Sequence, residues 1–251
     1  MGVNLHSTYA SVVTLFAAVR MVSYLNAAAT DPTLRERAPF AVQAGDVAHH
    51  LVDPHGLVGI DPWRAEPLAE VFDTLVDHPG RPWLLALPDP GRLAPLQGPP
   101  ELIRSALATG VAAIASGGGL ALVPHAVGPA LQWEALPAQR PGAVPTSYEA
   151  ERELSETVLR VGRELAGLEV AGGERPAETD VVLAPGYPPR QRVAADRAAR
   201  LFIACSTALA DDGGSISAYE ADRRRAALRD VRLAAGQALV AAVSWLGVER
   251  T

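Results

Sequence analysis

Ten consecutive residues hold the densest cluster of ligand chemistry in this chain: Asp46-Val-Ala-His49-His50-Leu-Val-Asp53-Pro-His55. Imidazole and carboxylate are donors for zinc, iron or manganese. If residues 46–51 are helical, Asp46, His49 and His50 lie at i, i+3 and i+4 on one broad side. Asp53 and His55 then fold back from the following turn. The spacing fits neither the HExxH helix nor an EF-hand loop. Each carboxylate also has a local task open to it, Asp46 near a helix start and Asp53 before Pro54 as a turn former. The expectation is a structural polar turn with no cofactor. Asp46, His49, His50, Asp53 and His55 stand as the candidate metal ligands.

Other chemistry is narrowed by what the chain lacks. All 22 of its basic residues are arginine. Schiff-base catalysis, a P-loop lysine and a Ser-Lys dyad all need an ε-amine and are excluded. The run Ser116-Gly117-Gly118-Gly119 could cradle an anion with successive N–H groups. It has no lysine and no helix directly after it, and apolar residues flank it, so it reads as a hairpin turn. Neither Ser116 nor Ser206 lies in G-x-S-x-G. A hydrolase triad would need His125 or His78 to meet a serine and an acid. The lone cysteine, Cys205, sits mid-helix between Leu201 and Leu209 and reads as a small core residue.

Arginines crowd the last long helix. Arg225, Arg229 and Arg232 share a face at i, i+4 and i+7 and are candidates for anion or partner contact. Glu220, Asp222 and Asp230 are interleaved with them, which suits a solvated, salt-bridged face. The net charge is −6, and neither half of the chain is basic, so a general nucleic-acid footprint is missing. The apolar stretch Leu5 to Ala29 ends in three alanines, but no basic residue precedes it and Arg20 lies inside it. That argues against a signal peptide and against a membrane span. An amphipathic core helix carrying Val12, Phe16, Val19 and Val22 is expected, in a cytoplasmic protein.

The elements that must position these groups follow from periodicity and punctuation. Helices are expected at 5–29, 63–77 and 99–109, with a possible short one at 40–51. Short apolar runs at 82–87, 111–115, 120–123 and 131–136 read as strands. Pro137 to Pro145 is the best linker. After it, Thr146-x-x-Glu149 and Ser217-x-x-Glu220 are capping boxes. They open helices from 146, ending at Gly172-Gly173, and from 217 to Leu246; a further helix spans 190–210. Trp245 would then dock onto the N-terminal part. The fold class is α+β, with N-terminal helices and a small sheet followed by a C-terminal antiparallel helical bundle. The domains read as 1–136, linker 137–145 and 146–251.

The stretches SYEAERELSETV, LAPGYPPRQRVAADRAARLFIA and LADDGGSISAYEADRRRAALRDVRLAAGQALVAA resemble a family of conserved actinobacterial proteins with no assigned activity. The resemblance covers roughly residues 147–246 and implies a cytosolic bacterial protein. The leading functional reading is a non-enzymatic interaction, scaffold or regulatory protein that contacts a protein partner, or a second copy, through its C-terminal helices. The alternatives are a metal-dependent hydrolase using the 46–55 cluster and a small-ligand binder.

Overall fold

A computed structural model describes residues 5–166, 181–210 and 218–244, the first seven of these by backbone alone. The chain divides into two compact units. One comprises Tyr9–Val144, Val182–Pro188 and Val243–Thr251; the other comprises Met1–Thr8, Pro145–Val181 and Pro189–Ala242. The class is α+β, as the composition and periodicity led us to expect.

The first unit is built on a mixed six-stranded sheet ordered β2-β1-β6-β5-β4-β3. The strands are β1 (His49–Val52), β2 (Glu66–Pro67), β3 (Trp83–Ala86), β4 (Ala112–Ala115), β5 (Ala121–Val127) and β6 (Ala130–Leu136). Among the described strands, β1 and β6 pair in parallel and the other neighbours are antiparallel. The four apolar runs expected as strands all form one. The expected helix at 63–77 is shorter, α3 (Leu68–Val76), because Glu66-Pro67 is drawn into pairing with β1. The expected helix over 40–51 stops early as α2 (Ala38–Gln43), and His49–Val52 pairs with Leu131–Glu134 instead. Ladder hydrogen bonds to β6 override a local spacing that also suits a helix.

Each face of the sheet carries helices. On one face, α4 (Pro100–Thr109) covers Ala112, Ile114, Ala121, Val123 and Leu136 through Leu102 and Ala106. Pro100 starts this helix and Gly110 ends it in the left-handed region at φ 75°, where glycine carries no Cβ penalty. The opposite face holds Trp83 and Trp133, both fully buried. The Trp83 indole donates to the Leu75 carbonyl of α3.

The first helix, α1 (Leu5–Thr30), is not the amphipathic element its spacing suggested. From Thr14 to Ala28 only Phe16 and Arg20 escape full burial. It is a central helix, packed nearly all round. Its segment Val12–Thr30 is long and apolar enough to cross a membrane, yet 67% of its most apolar window is buried within the protein. The helix also guards the sheet edge: Asn26 Nδ2 donates to the Trp83 carbonyl (2.9 Å), and Asn26 Oδ1 accepts from the Trp83 N–H (2.7 Å). Ser244 Oγ accepts from Leu85 N. Edge strand β3 thus spends its outward groups on side chains rather than on a neighbouring strand.

The second unit contains α5 (Ser147–Ala166), α6 (Pro189–Ala208) and α7 (Ala218–Ser244, to Ala242 in this unit). The capping box at its start forms as expected: Thr146 Oγ1 accepts from Glu149 N, and Glu149 accepts from Thr146 N. Its ion pairs and packing fix the directions. Glu151 meets Arg190 near the starts of α5 and α6, while Val161, Cys205, Ala227 and Val231 form a cluster farther along. Thus α5 and α6 run side by side and α7 runs against both. From Ala234 to Ser244 every residue of α7 except Gln237 is buried. The second capping box, Gly172-Gly173, Leu246 and Trp245 fall wholly or partly outside the described residues.

Candidate functional site

Of the histidine cluster the fold brings Asp46 and His49 together and leads Asp53 and His55 to other partners. His49 points to the tryptophan-bearing face and is buried; its Nδ1 accepts from Trp133 Nε1 (3.3 Å), so its Nε2 is the protonated nitrogen that faces Asp46 (2.9 Å). Desolvation by burial lowers the His49 pKa and outweighs the raising effect of Asp46. Asp46 also lies 3.6 Å from Arg20. Alternation along β1 sends His50 to the opposite face. Asp53 is fully buried, and its two oxygens accept from Leu57 N and Val58 N, both at 2.8 Å. His55 reaches Glu101 of α4 at 3.3 Å. Among the described residues no three such groups converge on a point that could hold a metal.

The glycine turn is equally committed. Ser116 N donates to Pro82 O, Gly117 N to Gly80 O, Gly118 N to Ala115 O and Gly119 N to Ala138 O. All four N–H groups of the would-be anion cradle are already used. Nor is there room: a Cβ at Gly118, whose φ is 81°, would lie 2.8 Å from Arg140 N. Ser206 donates to Phe202 O within its own helix. Cys205 is buried, and desolvation pushes its thiol up to about 11, so it holds its proton.

One constellation does bring a serine, a histidine and an acid together, at residues that spacing alone did not single out as a set. Ser105 Oγ donates to Glu134 Oε2 at 2.7 Å, and His125 Nε2 lies 3.1 Å from both of those oxygens. The β5–β6 register explains the meeting. His125 opposes Gln132 and Glu134 opposes Val123, so all four side chains share the face that α4 covers. The available signal was the hairpin itself: running the expected strand from 123 to 127 puts His125 and Glu134 on one face.

The order of contacts is nevertheless wrong for a nucleophilic triad. In a triad the serine meets one ring nitrogen and the acid the other. Here both meet Nε2, and the serine proton goes to the glutamate. Ser105 also sits inside α4, beyond the free N–H groups of the first turn, so its own backbone offers no oxyanion donors. The cluster fastens α4 to the β5–β6 hairpin.

The arginine candidates are dispersed as well. Arg225 pairs with Asp222 at 2.9 Å. Arg232 donates to Ser206 Oγ at 3.0 Å and lies over the Phe202 ring, 4.8 Å from its centroid. Arg229 remains exposed. A better-formed surface lies near the starts of α5 and α6. A groove of about 330 Å³ is lined by Leu154, Val193, Ala194 and Ala238, with Glu151, Arg190 and Arg197 at its charged positions. Val193 is 69% exposed. Arg190 already holds Glu151 at 3.3 Å, whereas Arg197 is exposed and has no ion-pair partner among the described residues.

Two family models match the chain: "Rv1486c-like protein, N-terminal domain" over residues 18–148 and "Rv1486c-like protein, C-terminal domain" over residues 148–240. The likeness therefore spans both halves, not only the C-terminal helices. No curated protein and no solved structure matches the chain.

Proposed function

The chain belongs to the Rv1486c-like family, and on that footing we propose that it is a cytosolic binding protein, without catalysis of its own, whose C-terminal helices dock a protein segment. The observation that carries this reading is the α5–α6 groove. Its walls are apolar, Val193 is left open to solvent, and Arg197 offers an uncommitted charge at the rim. Apolar floors with charged rims suit segment-in-groove recognition, in which buried anchors supply affinity and the rim supplies orientation. The segment that fits carries a large apolar anchor beside a carboxylate. Support also comes from the polar groups elsewhere: the glycine-turn amides, the Asp53 oxygens and the Ser105 hydroxyl are each engaged in holding the fold.

A photo-crosslinking amino acid at Val193 of the full chain, irradiated in the cell that makes the protein, tests the reading. A discrete protein adduct is expected there, and none from the same group at Ala226, an exposed position on α7. Equal labelling at the two positions, or no adduct at Val193, overturns it.

A further inference from the structure

The first unit presents the kind of segment that this groove would take. Trp63 is 94% exposed, more than any other large apolar side chain among the described residues. It does not hang on a slack loop. The loop leaving β1 is pinned by the buried Asp53 carboxylate, which accepts from Leu57 N and Val58 N. Asp61 Oδ1 then accepts from the N–H of Trp63 itself (2.9 Å), and the Asp61 carbonyl accepts from Arg64 N (3.1 Å). The backbone that carries the exposed indole is therefore pinned. Tryptophan is a common interface anchor, able to bury about 150–250 Å². A preorganised mount reduces the ordering cost of burying it.

Charge points to the occupant of the groove. In sequence Trp63 lies between Asp61 and Arg64, of which Arg64 is paired with Glu66 at 3.3 Å; the groove sets Arg190 and Arg197 around Val193 with Glu151 beside them. Arg197, which has no ion-pair partner among the described residues, can meet Asp61 or the negative face of the indole. Among the exposed apolar groups of this unit, Phe40, Val47 and Val127 lack this combination. Val47 adjoins Asp46, but that carboxylate already serves His49 and Arg20, and Phe40 lies between Pro39 and Ala41.

We infer that Trp63 of one copy seats in the α5–α6 groove of a second copy, so that the protein associates with itself through an aromatic knob and an arginine-rimmed groove. This rests on the groove reading above and names its occupant. One indole and its rim fall short of the roughly 1,200 Å² at which standard interfaces begin. The association is therefore weak and reversible, and it suits a contact that forms at high local concentration.

Sedimentation of the full chain over a concentration series tests the inference. The weight-average mass should rise above that of the monomer with concentration. Trp63→Ala and Val193→Glu should each weaken association at least ~10-fold. Both positions are exposed, so neither change touches the core, and circular dichroism provides the check. The decisive measurement is the mixture. The Trp63→Ala chain keeps its groove and the Val193→Glu chain keeps its indole, so mixing them should restore one contact and form a heterodimer that neither forms alone. A wild-type chain that stays monomeric, a Trp63→Ala chain that associates normally, or a mixture that stays monomeric each overturns the inference. Normal association by Trp63→Ala with loss in Val193→Glu leaves the groove reading standing with a different occupant. An absence of any adduct at Val193 removes the groove reading itself.

Discussion

Asn26 offers the sharpest test of how this fold closes its sheet. The side chain is 4% exposed and satisfies both backbone groups of Trp83 on edge strand β3. Asn26→Ala removes a donor and an acceptor at once. It strands a buried N–H and a buried C=O, each costing about 1–3 kcal/mol when left unpaired. The expected loss is about 2–6 kcal/mol, read as a fall in the urea midpoint at unchanged m. Asn26→Asp separates the two roles. An aspartate still accepts from Trp83 N but, when ionised, turns a carboxylate oxygen toward the Trp83 carbonyl and is buried as a charge. Both effects raise its folded pKa above the unfolded value of about 3.9. A raised folded pKa contributes stability that is fully present below the unfolded value and lost as pH rises through the folded one. The Asp variant should therefore approach wild type at low pH, where its protonated oxygen again donates to Trp83 O, and fall away from it toward neutrality. A loss below about 1 kcal/mol in Asn26→Ala, or an Asp variant whose deficit does not change with pH, refutes the edge-capping argument.

Three further outcomes are expected. His49 is held neutral, with its folded pKa below the unfolded value of about 6.5; its share of stability is present above that value and lost as pH falls through the folded pKa, so His49→Gln should flatten the acid limb of a stability–pH curve. Leu239 is fully buried, and Leu239→Ala should cost about 2–5 kcal/mol by chemical denaturation; a loss under about 1 kcal/mol would contradict that placement. Chelation with EDTA should leave the melting temperature unchanged, because tight metal bound only to the native state would add RT ln(1 + [L]/Kd); a drop of several degrees, restored by zinc or manganese and absent in His49→Ala, would return the 46–55 cluster to the role of a metal centre.

Much of the fold is readable from local signals, because the elements that form are those whose signals agree. Pro100 and Gly110 bracket α4, Thr146 and Glu149 open α5, and the apolar runs at 83–86 and 112–115 are too short for helices and bounded by breakers. The reading fails where a distant partner decides. His49–Val52 carries a spacing that a helix could use, and only pairing with β6, some eighty residues on, makes it a strand. Glu66-Pro67 is taken from α3 in the same way. Burial is misjudged on α1, where alanines let neighbours approach from nearly every side, so a one-sided stripe becomes a cylinder.

The candidate sites divide along the same line. Spacing can propose that Asp46, His49, His50, Asp53 and His55 meet, but convergence is a property of pairing, and the strand alternation of β1 alone sends His49 and His50 to opposite faces. The same alternation gathers His125 and Glu134 beneath Ser105, residues that no motif links. In both cases the polar groups end up spending their hydrogen bonds on the fold itself. The α5–α6 groove differs. Arg190, Val193 and Arg197 recur at helical spacing, so the rim is visible in the sequence, whereas the floor is not: it needs Leu154 from α5 and Ala238 from α7. There Arg197 keeps no ion-pair partner among the described residues and Val193 stays open to solvent, and on these two groups the docking proposal rests.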